Sequence, residues 1–543
     1  MILKINNESK EYKDGTTLEA ISKDYEGSFF AAKVNNRVRE LTYSPKDGST
    51  VQLLDLTEGN SIRIYQATLR YIIAMALHNV YPNENIRFSN SISMSLFAKI
   101  VGKTTTKDML EKLEKEVNRI IAEDYKFERK TYSIEEMKEY YKNLGYMDKV
   151  ENLEYRGENV HVYECNGYRN YMYSYMTPSS GYIKEFKFIL YYPGFMIQFP
   201  RKEAKGYIPQ FIDEPNFLKT LARANKWATI TDSENISHIN KKCEDYDELV
   251  KYIGVCETRQ NHDIEEIGKR VEENIDDLRL IAIAGPSSSG KTTFSKRLEI
   301  ELLSRNIHPL RISLDNYYLD EKDAIRDEEG KVDWEHIESL NISLFKENIT
   351  DFLNGKEVCL PYFDFQTRQK GFMEPVKLEK DAVIIIEGIH ALNSILTDSI
   401  PKENIFKIYI VPLIQRNIDN HNPISITDIR LVRRIVRDKN FRNTTAYKTL
   451  SSWKSVRNGE RRWIYPNMEQ ADFIFNSELG YELLVLKKYG MESLHEVGYD
   501  SDQFINANRI LKFLKVYRSI DDNLVPNNSI LREFIGGSVF KDI

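Results

Sequence analysis

Cysteine is scarce. The 543 residues hold four, Cys165, Cys243, Cys256 and Cys359, far apart and with no CxxC pair. A disulfide framework and a thiolate zinc site both need clustered cysteines, so neither is expected, and the four read as reduced thiols. An excess of positive charge is also missing: 76 Lys and Arg stand against 82 Asp and Glu, a formal net charge of -6. Nucleic-acid binders usually show a basic footprint that neutralises phosphates, so no nucleic-acid partner is expected at the level of the whole chain. Long apolar runs are absent too. The stretch 188–199 is too short to span a membrane and is broken by Pro193 and Gly194. The opening MILKINNESKEY has no basic segment followed by an apolar run. No signal peptide or membrane contact is expected, and the location reads as cytoplasmic. Neither an internal repeat nor a low-complexity tract is visible.

What is present is the material of several cores. Hydrophobic residues make up 41% and charged residues 29%, and the 33 tyrosines suggest aromatic surfaces or pockets. At about 150 residues per domain, the length suggests three or four domains. Residues 1–60 read as a small β-rich unit, with alternating segments at 2–5, 30–34 and 50–54 and turn signals at Asp14-Gly15 and Asp47-Gly48. Thr17 is placed to cap a short helix at 17–22. In 61–225 the pattern is mixed. A buried helix is expected at 67–80 and an amphipathic one at 107–122, where Met109, Leu110, Leu113 and Val117 recur at helical spacing. A further helix is expected at 131–144, with Ser133 and Glu136 in capping-box relation. Strands are expected at 160–165, 183–188 and 195–199. Residues 226–263 show no dominant pattern and 263–278 reads as a charged helix, so 226–275 is expected to be a linker or helical connector.

From 279 onward the style changes. Continuous apolar runs at 280–284, 310–313, 382–386 and 405–411 alternate with helical stretches. Runs of this kind are strands buried on both faces, and their alternation with helices implies a doubly wound parallel sheet. The first run leads into Gly285-Pro-Ser-Ser-Ser-Gly290-Lys291-Thr292-Thr293, which fits G-x-x-x-x-G-K-[ST] between a strand and a helix. Glycine lets the backbone wrap a phosphate with its N–H groups inward, and the following helix adds the positive end of its dipole. Gly285, Ser287, Ser288, Ser289, Gly290, Lys291, Thr292 and Thr293 are therefore the expected nucleotide cradle. Lys291 reaches toward the β- and γ-phosphates and the Thr292 hydroxyl toward Mg²⁺. A flexible Gly/Ser turn is the plain alternative, and the strand–loop–helix context weighs against it.

Ligands in such a sheet bind at the carboxyl ends of the strands. After 310–313 comes Asp315, placed to take a proton from an attacking hydroxyl or, more plainly, to be a solvated turn residue. After 382–386 comes Glu387, an acid ending a buried strand, for which Mg²⁺ is the expected partner and a structural salt bridge the alternative. Farther on, Arg430, Arg433, Arg434 and Arg437 fall on one helical face, followed by Arg442. Such a stripe is either a solvated face or a mobile lid that clamps a transferring phosphoryl group.

Residues 276–480 resemble the uridine kinase/phosphoribulokinase family of P-loop kinases. The resemblance is carried by GPSSSGKTT, SLDNYY at 313–318, DWEH at 333–336, LPYFDF at 360–365, IIIEGIHAL at 384–392 and RLVRRIVRD at 430–438. It implies ATP and Mg²⁺ as cofactors and 5′-phosphorylation of a pyrimidine ribonucleoside. It makes Asp315 the base, places Tyr318 and Glu335 near the sugar, gives Glu387 to the metal and assigns Arg434, Arg437 and Arg442 to the lid. Phe363 and Arg368 stand where uridine kinases carry a base-reading Tyr and His, and Thr444 where an arginine is common. Residues 1–60 resemble a TGS domain, a ubiquitin-like β-grasp. Residues 61–225 resemble the second additional domain of threonyl-tRNA synthetases. The metal-ligand positions of that domain fall here on Ala67, Tyr71, Met172 and Met176, so neither zinc nor editing chemistry is expected. The half is expected to bind, regulate or oligomerise. The whole would be multidomain: a β-grasp-like module, an α+β domain, the connector, a P-loop α/β kinase domain, and a C-terminal extension over 481–543. Related kinases often associate through the α/β domain, which admits a homo-oligomer. Two alternatives stand beside the nucleoside reading: another small alcohol or sugar phosphate as acceptor, which Arg368 would suit, and a nucleotide-switched RNA-binding regulator.

Overall fold

The computed structural model describes residues 1–6, 8–155, 157–327, 330–363, 370–379 and 382–541. At the N-terminus, β1 (Ile2–Ile5), β2 (Glu8–Glu11), β3 (Ala31–Val34), β4 (Arg37–Arg39) and β5 (Thr50–Leu54) form a mixed sheet in the order β2-β1-β5-β3-β4, with α1 (Leu18–Ser22) alongside. The central pair β1 and β5 is parallel and the other pairs are antiparallel. Alternate residues Leu3, Ile5, Val51 and Leu53 bury against Leu18 and Ile21. Thr17 caps α1, its hydroxyl accepting from the Ala20 N–H at 3.3 Å. Strands β2 and β4 had no apolar pattern to announce them: ESKE is exposed throughout.

The next unit runs α2 (Gly59–Val80), β6 (Ile86–Asn90), β7 (Leu96–Ile100), α3 (Lys107–Ala122), β8 (Glu128–Ser133), α4 (Ile134–Asn143), β9 (Asn159–Cys165), β10 (Tyr168–Asn170), β11 (Lys187–Tyr191) and β12 (Gly194–Gln198). Its strands form two sheets, β10-β9-β8 and β11-β12-β7-β6. Helix α3 buries Leu110, Leu113, Val117 and Ile120 along one stripe. Ser133 caps α4 by accepting from the Glu136 N–H at 3.2 Å, yet 131–133 end a strand and do not open the helix. Helix α2 starts well before residue 67. It is buried nearly all round, so no periodicity marks its beginning. The strand expected at 183–188 lies later, because 180–182 forms a 3₁₀ turn.

Residues 226–263, without visible pattern in sequence, are largely helical: α5 (Pro215–Ile230), α6 (Ile236–Lys242) and α7 (Tyr246–Glu273). The buried face of α7 includes Glu257, Gln260 and Asp263 among its apolar residues, which breaks the stripe a sequence reading needs. Its Leu249, Ile253, Ile264, Ile267 and Val271 share a core with the sheet that follows.

That sheet is built from β13 (Leu280–Ala284), β14 (Pro309–Ser313), β15 (Val383–Glu387), β16 (Ile405–Val411) and β17 (Phe473–Asn476), all parallel, in the order β14-β15-β13-β16-β17. Around it lie α8 (Lys291–Ser304), α9 (Ile426–Phe441), α10 (Glu482–His495), α11 (Phe504–Lys515) and the short α12 (Arg532–Ile535). Ile281, Ile283, Ile385, Ile408 and Phe475 point to one core; Leu280, Ala282, Ile384, Ile386 and Tyr409 point to another. Both faces are thus covered, which is why the strands read as unbroken apolar runs. Strand β13 feeds a chain that crosses to β14 over β15, while β16 lies on its other side. The crevice at its carboxyl end is the place where ligands bind in such sheets.

The two halves meet around 415–423. Lys149 and Asp419 form a buried ion pair at 2.9 Å. The Phe88 N–H donates to the Asn420 carbonyl at 2.9 Å. Arg87 donates to the Asn420 side chain at 2.8 Å and to the Gln415 carbonyl at 3.2 Å. This segment leads directly into α9.

Candidate active site

The loop between β13 and α8 is shaped by two glycines. A Cβ on Gly285 would sit 2.1 Å from the Ile410 carbonyl oxygen, so only glycine lets the loop pass β16 this closely. Gly290 has φ +91°, the left-handed region, just before the first turn of α8. The hydroxyls of Ser288 and Ser289 are buried and meet no hydrogen-bond partner among the described residues. With the N-terminus of α8 beside them, these donors suit an anionic ligand. The Lys291 ammonium is held below its ordinary value by burial, while Glu387, Asp315 and Glu533 pull it back up.

Asp315 sits in the 3₁₀ turn Leu314–Tyr317 at the end of β14. Glu387 ends the neighbouring β15, and one of its oxygens accepts from the Ser313 hydroxyl at 2.8 Å. Burial, and then Asp315, raise the Glu387 carboxyl above the usual carboxylate range. Three adjacent strand ends thus bring Lys291, Asp315 and Glu387 into one electrostatic neighbourhood.

Beside it stands a group of aromatic and polar side chains. The Tyr318 ring stands edge-on to Trp334 at 5.8 Å, and burial, then Asp315, raise its hydroxyl well above its ordinary value. Burial pushes Glu335 up to about 7, partly offset by Arg434 and Lys291. Its Oε2 has no hydrogen-bond partner among the described residues. Phe363 ends a short strand, and its N–H donates to the Asn316 side chain at 3.1 Å, which ties it to the Asp315 turn. Arg368 lies outside the described residues.

Helix α9 delivers its arginines to the loop in a closed arrangement. Arg430 and Arg433 are each 1% exposed, so they form no solvated stripe. Arg430 donates to the Ser287 carbonyl at 3.1 and 3.2 Å and pairs with Glu460. Arg433 pairs with Glu482 at 2.5 Å and donates to the Ser477 carbonyl at 2.8 Å. Arg434 donates to the Ser287 hydroxyl at 2.8 Å. Arg434 and Arg437 also flank Asp438, at 3.4 and 2.8 Å. Arg442, at the end of the helix, is pushed down to about 10 by Arg437 and by burial.

Two residues here had drawn no attention in sequence. His390 is 2% exposed, neither ring nitrogen meets a partner among the described residues, and burial, then His336, push it down to about 3. A neutral histidine inside the motif IIIEGIHAL was the available signal. Glu533, from the C-terminal extension, accepts from the Thr293 N–H at 3.1 Å and from its hydroxyl at 3.0 Å. Its neighbour Ile530 lies where a Cβ on Gly290 would fall, at 2.5 Å. A contact spanning 240 residues leaves no local pattern to read.

A phosphate-wrapping loop, a lysine opening the next helix and carboxylates on two adjacent strand ends define a P-loop phosphotransferase with an alcohol acceptor. Comparison with known proteins agrees. Residues 280–480 match the Phosphoribulokinase / Uridine kinase family. A uridine kinase of Ureaplasma parvum serovar 3 is 30% identical over 177 residues, 33% of this chain and 77% of the relative. A uridine kinase of Staphylococcus aureus (strain JH9) is 32% identical over 197 residues, 36% of this chain and 86% of the relative. A solved structure described as a possible uridine kinase from Bacillus stearothermophilus aligns with a TM-score of 0.25 and 18% identity, over 38% of this chain and 99% of that one. Through this region the chain belongs to the phosphoribulokinase/uridine kinase family, which implies the use of ATP and Mg²⁺. Among the described residues no helix is long and apolar enough to cross a membrane.

Proposed function

We propose that the chain is an ATP-dependent nucleoside kinase, located in the cytoplasm, that transfers the γ-phosphoryl group to the 5′-hydroxyl of a uridine- or cytidine-like nucleoside. The observation that carries this reading is the convergence of Lys291, Asp315 and Glu387 at adjacent strand ends, next to aromatic side chains and unsatisfied polar groups. Asp315 accepts the proton of the acceptor hydroxyl as its oxygen attacks the γ-phosphorus. Lys291 and the loop N–H groups hold the phosphates, and Arg434, Arg437 and Arg442 offset the charge on the transferring group. Thr292 and Glu387 are the oxygens that would hold Mg²⁺, whose charge neutralises the phosphates. Among the described residues no group of three or more His, Cys, Asp and Glu forms a metal cage. A pair of protein oxygens suits an ion that keeps most of its water and takes the rest of its ligands from substrate. Tyr318 and Phe363 would offer faces to a base or sugar, and Glu335 and His390 have hydrogen-bonding capacity left for sugar hydroxyls.

For the N-terminal half, the mixed sheet with a parallel central pair supports the β-grasp reading of 1–60. In 61–225, Ala67, Tyr71, Met172 and Met176 are core residues, and the Tyr71 hydroxyl donates to the Tyr168 carbonyl at 2.7 Å. This supports a binding or regulatory role in place of metal chemistry. The test of the kinase reading is coupled ADP release with ATP, Mg²⁺ and a panel of nucleosides and phosphorylated sugars. Turnover with uridine or cytidine supports it. Turnover only with a sugar phosphate or another alcohol moves the acceptor out of the nucleoside class.

A further inference from the structure

A cavity of about 680 Å³ lies between β4, α2, β8 and β9 of the accessory half and α11 of the C-terminal extension. That volume is within the range of small-molecule sites. Five arginines and a lysine line it: Arg37, Arg39, Arg63, Arg129, Arg509 and Lys512. No carboxylate is among its lining residues. Among the described residues only Arg509 has an ion-pair partner, Asp428. The nearby Glu40 is engaged by the Tyr163 hydroxyl at 2.5 Å, and burial raises its carboxyl above the ordinary range. This concentration stands in a chain whose formal net charge is -6.

The cations act on one another. Arg509, and then burial, hold Arg63 down at about 10. Burial, followed by Arg37, Arg39 and Arg129, lowers Lys512. The Nε of Arg39 is buried without a hydrogen-bond partner. Arg37, Arg63, Arg129 and Lys512 are exposed to solvent, Arg39 is half-buried, and like charges gathered in this way favour the arrival of an anion. Between them stand aromatic side chains. The Arg129 guanidinium lies over the Tyr175 ring at 5.4 Å, and Tyr163, Tyr173 and Phe504 add apolar wall. A ligand that satisfies both features has a flat apolar body and several negative charges.

We propose that this cavity is a second nucleotide site, separate from the P-loop, that takes a nucleoside polyphosphate. The guanidinium forks of Arg39, Arg63 and Arg129 receive the phosphates and the tyrosine faces receive the base. A local cluster of cations in an otherwise acidic chain favours a free nucleotide over a nucleic-acid strand, which would need a basic track leading away from the site.

The proposal is tested by calorimetric titration of the full chain with ATP, GTP, CTP, UTP and inorganic tripolyphosphate. Lys291→Ala disables the P-loop site and isolates the cavity. This variant is expected to bind at least one of the nucleotides at one site per chain, and tripolyphosphate more weakly. Adding Arg39→Ala and Arg129→Ala should weaken that binding by roughly 100-fold or more, as expected for two charge-assisted contacts. In the chain with Lys291 intact, the same two arginine substitutions should lower nucleotide stoichiometry from two to one and leave turnover unchanged, which also shows that the fold survives. The proposal is overturned if Lys291→Ala abolishes all nucleotide and tripolyphosphate binding, or if the arginine substitutions change neither affinity nor stoichiometry. A short oligoribonucleotide that binds this site more tightly than every free nucleotide would also overturn it. Binding alone is read, so a kinase with some other acceptor leaves the test intact.

Discussion

Two groups of arginines in this chain follow different rules. Around the P-loop, Arg430 faces Glu460, Arg433 faces Glu482, and Arg434 and Arg437 share Asp438. In the accessory cavity, Arg37, Arg39, Arg63 and Arg129 form no close ion pair among the described residues, although Glu40 acts on Arg39 and Arg129 from nearby. Within the matched group, the fully buried Arg430 and Arg433 are framework. A buried charge with its counter-charge and hydrogen bonds can be held in place, and here it fixes the carbonyls and hydroxyls of the phosphate loop. The unmatched group leaves attraction unspent, as a site waiting for an anion does. Arginine count alone does not separate scaffold from binding site; the placing of carboxylates does.

The largest effect should come from a change that touches neither group. Asp315→Asn removes the proposed proton acceptor and should lower turnover by about 10²- to 10⁴-fold while nucleotide binding persists. Coupled ADP release and calorimetry on the same protein check this, and near-normal turnover would place the base elsewhere. Next, Glu482→Ala strands Arg433 in the interior and should cost about 3–5 kcal/mol in denaturant unfolding. Arg63→Ala, in the cavity, should shift stability by no more than about 0.5 kcal/mol. Equal costs at the two positions would break the comparison.

Protonation gives a third contrast. Burial lifts Glu335 from 4.5 to about 7, so the folded chain favours its neutral form. For an acid with a raised folded value, the stabilising contribution is present below the ordinary value and is lost as pH rises toward the folded one. Stability without ligand should therefore fall between pH 4.5 and about 7, and Glu335→Gln should flatten that slope in melting curves. The smallest effect concerns the tail. Glu533 occupies the Thr293 donors at the end of the helix that a phosphate would use. Glu533→Ala should lower the KM for ATP by roughly 3- to 10-fold, the worth of one or two released hydrogen bonds. An unchanged or higher KM would show that the carboxylate is only structural.

Legibility in sequence followed locality. The phosphate loop was plain because strand, glycines, lysine and helix are contiguous. Helix α3 was plain because its apolar stripe is uninterrupted. Strand β17 escaped notice, being four residues long, and of α7 only the end was legible, as the charged helix expected at 263–278, its earlier turns being lost among buried polar positions. The pairing of Arg433 with Glu482 and the approach of Glu533 to Thr293 join segments far apart in the chain, so only folding brings them together. The accessory cavity is assembled from β4, α2, β8 and α11, and the interface at Lys149 and Asp419 likewise draws on distant segments. The cavity's charge is invisible in a chain whose overall balance is acidic.

The central claim is the transfer of a phosphoryl group to a nucleoside hydroxyl. Its most direct measurement is ³¹P and ¹H NMR of the products formed from ATP, Mg²⁺ and uridine or cytidine by the full chain. The account predicts ADP together with the nucleoside 5′-monophosphate. ADP with inorganic phosphate alone, or a phosphorylated product only when a different alcohol is supplied, would contradict it.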